Sequence, residues 1–245
     1  MADETRPTGN VNRATLPTAT SDGDRAFARA SRYGEQVVQP IGGDRYPLVD
    51  ESSYYIATNP TPGTAIAGII AANGYDDTEA LLYLENTHAT KHIYLDYLHL
   101  ICKVAGVNGT DFGYAIDVAT TATYASGGSA ITPVCTNREG ELENKAPVIM
   151  YFGAVVTTTG TTEKIMSHGQ LLTTIKVIGD HYLLAFGGKP LAPATQIMEG
   201  TAQRSVQKSC PPIIVPPGYG LSIREFATSQ SGAAQFQFEL GFWVR

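Results

Sequence analysis

The segment Gln235–Arg245 alternates strictly: Phe236, Phe238, Leu240, Phe242 and Val244 are apolar, and Gln235, Gln237, Glu239, Gly241, Trp243 and Arg245 fall between them. A β-strand turns successive side chains to opposite faces, so this period-two row predicts a strand with one face in a hydrophobic core. A helix would spread the rings around its circumference and leave about half of them in water. From Ser53 onward, similar short runs recur, among them SYYIAT, TAIAGII, ALLYLEN, AITPVCT, VIMYFGAVVTT, LLTTIKVI, HYLLAFG and LSIREFAT. Gly, Pro, Asn and Asp separate them, the pattern of an all-β sandwich or barrel, of which an antiparallel β-sandwich is the expected fold. Turns are predicted at Asn59–Gly63, Val107–Asp111, Ser126–Gly128, Ile178–Asp180 and Pro216–Gly220. Residues 213–245 alternate strand, Pro-Gly turn, strand, Ser-Gly turn and strand, as an antiparallel meander would.

His92–Val104 fits two periods. Leu98, Leu100, Cys102 and Val104 alternate, while Ile93, Tyr97, Leu100, Ile101 and Val104 are spaced like a helix face. Strand is favoured because β residues surround the segment and the following Asn-Gly suits a hairpin. Both faces of such a strand are apolar or aromatic, which predicts burial on both sides, and in a homo-oligomer the second side is a subunit interface. Tyr97, His99 and Ile101 are therefore candidate subunit-interface residues. Trp243 joins them as a large ring on the otherwise polar face of the last strand.

Residues 1–50 differ in texture, being rich in Thr, Arg, Asp, Gly and Pro and poor in apolar runs. They predict an extended N-terminal arm. Within it, SDGDRAFARASRYG is compatible with a short helix capped by Ser21 or Asp22 and ended by Gly34. The expected organisation is a polar arm over 1–50 and a sandwich domain over 51–245.

Composition narrows the function. The chain of 245 residues is 43% hydrophobic and 16% charged, enough apolar material for a packed core. A net charge of -6 offers no basic surface for a phosphate backbone, so no nucleic-acid partner is expected. No apolar run approaches the roughly 20 residues of a membrane-spanning helix, and residues 1–18 lack the apolar stretch of a secretory signal, which points to synthesis in the cytoplasm. Cys102, Cys135 and Cys210 are widely spaced, and Cys102 shares a strand face with Leu98 and Leu100, so a packing role is expected rather than a disulfide framework.

Candidate chemistry is thin. His88 and His92 are four apart, a helical metal-binding spacing, but on a strand they stand about 13 Å apart. Asp76, Asp77 and Glu79 lack the ligand spacing of a calcium loop and suit a turn or a short helical start. Ser167, His168, Asp180 and His181 supply a Ser/His/Asp set in composition only, with no nucleophile elbow, P-loop or dinucleotide fingerprint. Asn108-Gly109-Thr110 is read as a chance match to a glycosylation acceptor, and Thr157–Thr162 as an exposed loop. No catalytic residue, cofactor or metal is expected.

The combination ESSYYIATNPTPGTAIA at Glu51–Ala67 with PPGYGLSIREFATSQSG and the terminal FELGFWVR resembles tailed-bacteriophage virion proteins, over about Arg32 to Arg245. The resemblance implies a jelly-roll-like sandwich that forms homotrimers on the outer capsid surface, as decoration or cement proteins do, with the major capsid protein lattice as partner. It carries no catalytic residues to transfer. A receptor- or carbohydrate-binding module of a tail fibre or spike is the alternative, using exposed Tyr, Trp243 and the Thr-rich loop against sugars.

Overall fold

The computed structural model describes residues 48–49, 51–68, 70–71, 75–137, 146–157, 164–172, 177–187, 196–197 and 204–245. Apart from Leu48 and Val49, the expected arm, with its short helix, lies outside the described residues. Ten strands of five or more residues are described: β1 Tyr54–Thr58, β2 Glu79–Asn86, β3 Ile93–Val104, β4 Val107–Ala119, β5 Val148–Thr157, β6 Lys164–Leu172, β7 His181–Phe186, β8 Arg204–Cys210, β9 Gly220–Gly232 and β10 Gln235–Val244. They form two sheets, ordered β8-β7-β3-β10-β1 and β6-β4-β9-β2-β5, with shorter strands at the margins. Pairing between these long strands is antiparallel except for β7 with β8. With β5 and β8 set aside, the other eight fall into two packed four-strand sheets, β1-β10-β3-β7 and β2-β9-β4-β6. Successive strands cross between the sheets except from β4 to β6, a jelly-roll-like arrangement. The chain is thus an all-β, antiparallel-rich sandwich.

The core lies where the two inner faces meet. All five apolar residues of the terminal row are buried, and they pack with Leu98, Leu100 and Cys102 of β3 and, across the sandwich, Leu82, Leu84, Ile116, Phe152, Leu221 and Ile223. Phe152 and Phe238 stack across the two sheets with centroids 4.6 Å apart and planes 13° apart. Cys102, Cys135 and Cys210 are buried and form no disulfide, and burial pushes the Cys210 thiol up to about 11 against the opposing pull of Lys208.

β3 is a strand, and its mixed periodicity has a local cause. Leu95 pairs with Phe242 and Tyr97 with Gly241, leaving Asp96 as an extra residue, a β-bulge. The bulge shifts the inward phase by one, from Ile93 and Leu95 to Leu98, Leu100 and Cys102.

Several sequence expectations change. The C-terminal strands are not a meander: β9 belongs to one sheet, β10 to the other, and Ile214–Val215 pairs with β3. Alternation cannot distinguish strands that pair side by side from strands that face each other across a core, and β9 and β10 are the second kind. The Ser-Gly segment is strand up to Gly232, so the connection is Ala233–Ala234. Val107–Asp111 is likewise strand, because Asn108 and Thr110 find partners in Gln230 and Thr228, and the turn lies at Ala105–Gly106. Of the strand expected at LLTTIKVI, Leu171 and Leu172 belong to a strand described from Lys164, and residues 173–176 lie outside the described residues. Among the described residues, TAIAGII and AITPVCT supply two-residue strands. The other turns stand as expected, with positive φ at Gly63, Gly127, Gly128, Gly179 and Gly218.

Asn59 opens the first of these turns and fastens it. Its buried side-chain amide donates to the carbonyls of Thr64 (2.8 Å) and Phe236 (3.1 Å), and its Oδ1 accepts the Phe238 N–H at 2.7 Å. Asn59→Ala leaves two buried β10 backbone groups without these partners, and a loss of about 1–3 kcal/mol is expected in denaturant unfolding. A loss under about 0.5 kcal/mol would show that water replaces the amide there.

Candidate subunit interface

The outer face of the sheet containing β3 is built row by row from strand register. One row crosses four strands as Tyr54, Trp243, Tyr94 and Ile214. The next runs Val134, Ile56, Gly241, Tyr97 and Ala185. The following rows hold Thr58, Glu239, His99 and Leu183, then Gln237, Ile101 and His181. The four residues singled out from the sequence, Tyr97, His99, Ile101 and Trp243, therefore share this one face, and each is part-exposed. The face grades from aromatic and aliphatic at one end to polar at the other.

Its aromatic end is organised by the bulge and one glycine. Trp243 stacks on Tyr94 with centroids 5.6 Å apart and planes 3° apart. Asp96, displaced by the bulge, accepts the Tyr54 hydroxyl at 2.6 Å, and this fixes the buried Tyr54 ring. A Cβ on Gly241 would stand 2.5 Å from both the Tyr54 hydroxyl and the Tyr97 ring, so only glycine lets the two rings close over the strand. Tyr97 donates onward to Glu239 Oε1. Val134 and Ile214, at 44% and 47% exposure, extend the apolar surface to both sides.

The polar end carries a histidine pair. His99 Nε2 and His181 Nδ1 are 3.0 Å apart, their rings at 25° with centroids 5.2 Å apart. Burial holds the His99 imidazole below its ordinary range, His181 adds to that, and Glu239 opposes it. A folded-state value below the unfolded one means that the unfolded chain binds the proton more tightly. This contribution therefore lowers stability as pH falls through the unfolded imidazole value of about 6.5. His99 and Ile101 also line a depression of about 230 Å³ with Thr58, Asn59, Pro62, Gln237, Phe238 and Glu239.

The other sequence candidates take structural places. His88 Nδ1 accepts the backbone N–H groups of Thr90 and Lys91 in the β2–β3 turn, and His92 pairs through its backbone with Arg245. Asp76 Oδ1 accepts the N–H and hydroxyl of Thr78, so the acidic segment makes a turn just before β2 rather than a helical start. Asp180 is buried and accepts from Tyr182 at 2.8 Å and the Val177 N–H at 2.8 Å, whereas His181 points to the outer face. The side chains of Ser167 and His168, and residues 158–162 of the Thr-rich run, lie outside the described set. Among the described residues no group of three or more His, Cys, Asp or Glu is placed to hold a metal ion, and no helix is long and apolar enough to cross a membrane.

Sequence reasoning missed a second buried polar cluster, on the other sheet. Arg224 of β9, 1% exposed, donates to Asp117 Oδ1 at 2.5 Å and, through Nε and Nη2, to the Asp77 carbonyl at 3.0 and 2.8 Å. Its guanidinium lies 6.0 Å from the centre of the Tyr75 ring. This arginine ties the turn before β2 to the outer face of its sheet. The signal was a pair of adjacent charges, Arg224 and Glu225, set between the apolar Ile223 and Phe226 within a strand, where a charge has to find a partner.

No family model matches the chain, and no curated protein or solved structure matches it.

Proposed function

We propose that this chain is a structural virion protein, a homotrimeric decoration or cement protein on the outer surface of a tailed-phage capsid. One observation carries the self-association: the outer sheet face that brings Tyr97, Ile101 and Trp243 together with Tyr94, Ile56, Val134 and Ile214. Contiguous apolar surface rimmed by polar groups is the composition of a protein interface, and aromatic rings are its usual anchors. The resemblance of Glu51–Ala67 and of the C-terminal segment to phage virion proteins supplies the setting. A protein that binds only the assembled lattice stabilises it by linkage, and three weak contacts in one trimer gain through effective concentration.

Co-sedimentation with purified phage heads stripped of the protein tests the setting. Saturable binding, with heads that then withstand a higher temperature, is expected; failure of the purified chain to bind heads would set the capsid role aside. The stacked Tyr94–Trp243 pair favours one second reading, a platform for sugar rings in a fibre or spike module. Reproducible binding on a glycan array, lost in Trp243→Ala, would favour that alternative.

A further inference from the structure

We propose that His99 and His181 form a chelating site for a divalent transition-metal ion of the kind imidazole takes, copper, nickel or zinc. The two residues are 82 positions apart, on adjacent antiparallel strands, and meet diagonally on the part-exposed outer face. No local spacing in the sequence announces them.

The geometry is close to what a chelate needs. Two metal–nitrogen bonds of about 2.05 Å at a tetrahedral angle place the nitrogens about 3.3 Å apart. At a right angle the same bonds place them about 2.9 Å apart, which suits the tetragonal sites of copper and nickel. The observed 3.0 Å lies between, so the nitrogen spacing suits both geometries once the two rings turn their facing lone pairs from each other towards a shared ion. Without metal, one imidazole donates its proton to the other. With metal, both facing nitrogens offer lone pairs, and the donor ring carries its proton on the far nitrogen instead. No net proton is released when both rings start neutral.

The surroundings favour a cation. Glu239, directly opposite His99 on β10, brings a carboxylate whose field acts on the His99 ring, and Tyr97 holds that carboxylate by a hydrogen bond. A carboxylate beside ligating histidines is a common outer-shell partner. Two protein nitrogens leave the remaining coordination positions to water, and both rings are part-exposed, so an ion has a path in. Both ligands come from one chain, at the polar end of the face proposed to self-associate, so metal binding is read by nitrogen count and is distinguishable from the oligomeric state that tests the proposed function.

Copper(II) added below one equivalent to the full-length protein at pH 8, read by electron paramagnetic resonance, tests this directly. Superhyperfine structure from two imidazole nitrogens is expected; a single-nitrogen pattern, or none, overturns the site. In calorimetric titration with nickel chloride, His99→Gln or His181→Gln should weaken binding by more than about tenfold, in the range seen when a metal site loses a supporting group. His88→Gln and His92→Gln should leave it unchanged. Acidification to about pH 5, below the imidazole range, should release the ion. Wild-type affinity in the His99→Gln/His181→Gln double variant would overturn the proposal. The copper spectrum of the unmutated protein decides the matter if a variant fails to fold.

Discussion

Arg224→Met is expected to cost about 3–5 kcal/mol of folding stability at neutral pH, because it strands the Asp117 carboxylate in a buried site. Both side chains are 1% exposed, so water cannot take over the lost ion pair without opening the structure. The Asp77 carbonyl also loses both donors of the guanidinium fork, which lysine cannot reproduce. The expected pattern has a second arm. Arg224→Met with Asp117→Leu removes both charges and should recover most of the loss, since buried ion pairs stabilise little relative to apolar residues of similar volume. Guanidinium unfolding of the two variants beside wild type measures this. A double variant no more stable than the single one would show that the arginine acts through the turn at Asp77 and not through the pair.

Phe238→Ala is expected to lose a comparable 3–5 kcal/mol, the usual cost of removing a core aromatic and leaving its cavity. Phe238 is 4% exposed and its ring lies against Phe152 of the opposite sheet, so the deletion empties a contact between the layers that collapse of one strand cannot refill. Trp243, five residues later on the same strand, supplies the contrast. Its ring points outward onto Tyr94, and Trp243→Ala should cost the isolated chain only about 1 kcal/mol, the scale of one cross-strand aromatic pair. Similar losses for the two variants would mean that the outer rings are as much a part of the folded core as the inner ones.

Local periodicity made the inner half of this structure legible. The row Phe236 to Val244 has one strand on a period of two, and every apolar member of it is buried. In β3 the same logic gave the right element but an ambiguous pattern, because the Asp96 bulge changes the phase and is defined only by the partner strand. Sheet membership was not legible at all. Leu221 and Ile223 of β9 alternate just as they would in a hairpin with β10, yet they face it across the core. Tyr97, His99, Ile101 and Trp243 were found as residues because each put bulk on the less apolar side of its strand. That they share one face with Tyr54 and Tyr94 required the register. His99 with His181 and Arg224 with Asp117 are pairs separated by 82 and 107 residues, and only the folded topology brings either together.

Self-association through the outer face is the central claim, and sedimentation equilibrium of the full-length protein at micromolar concentration tests it most directly. A mass near three times the 26.1 kDa chain is expected, falling towards the single-chain mass in Trp243→Ala while that variant keeps its far-ultraviolet circular dichroism. A wild-type protein that sediments as a monomer, or a Trp243→Ala variant that stays fully trimeric, would contradict it.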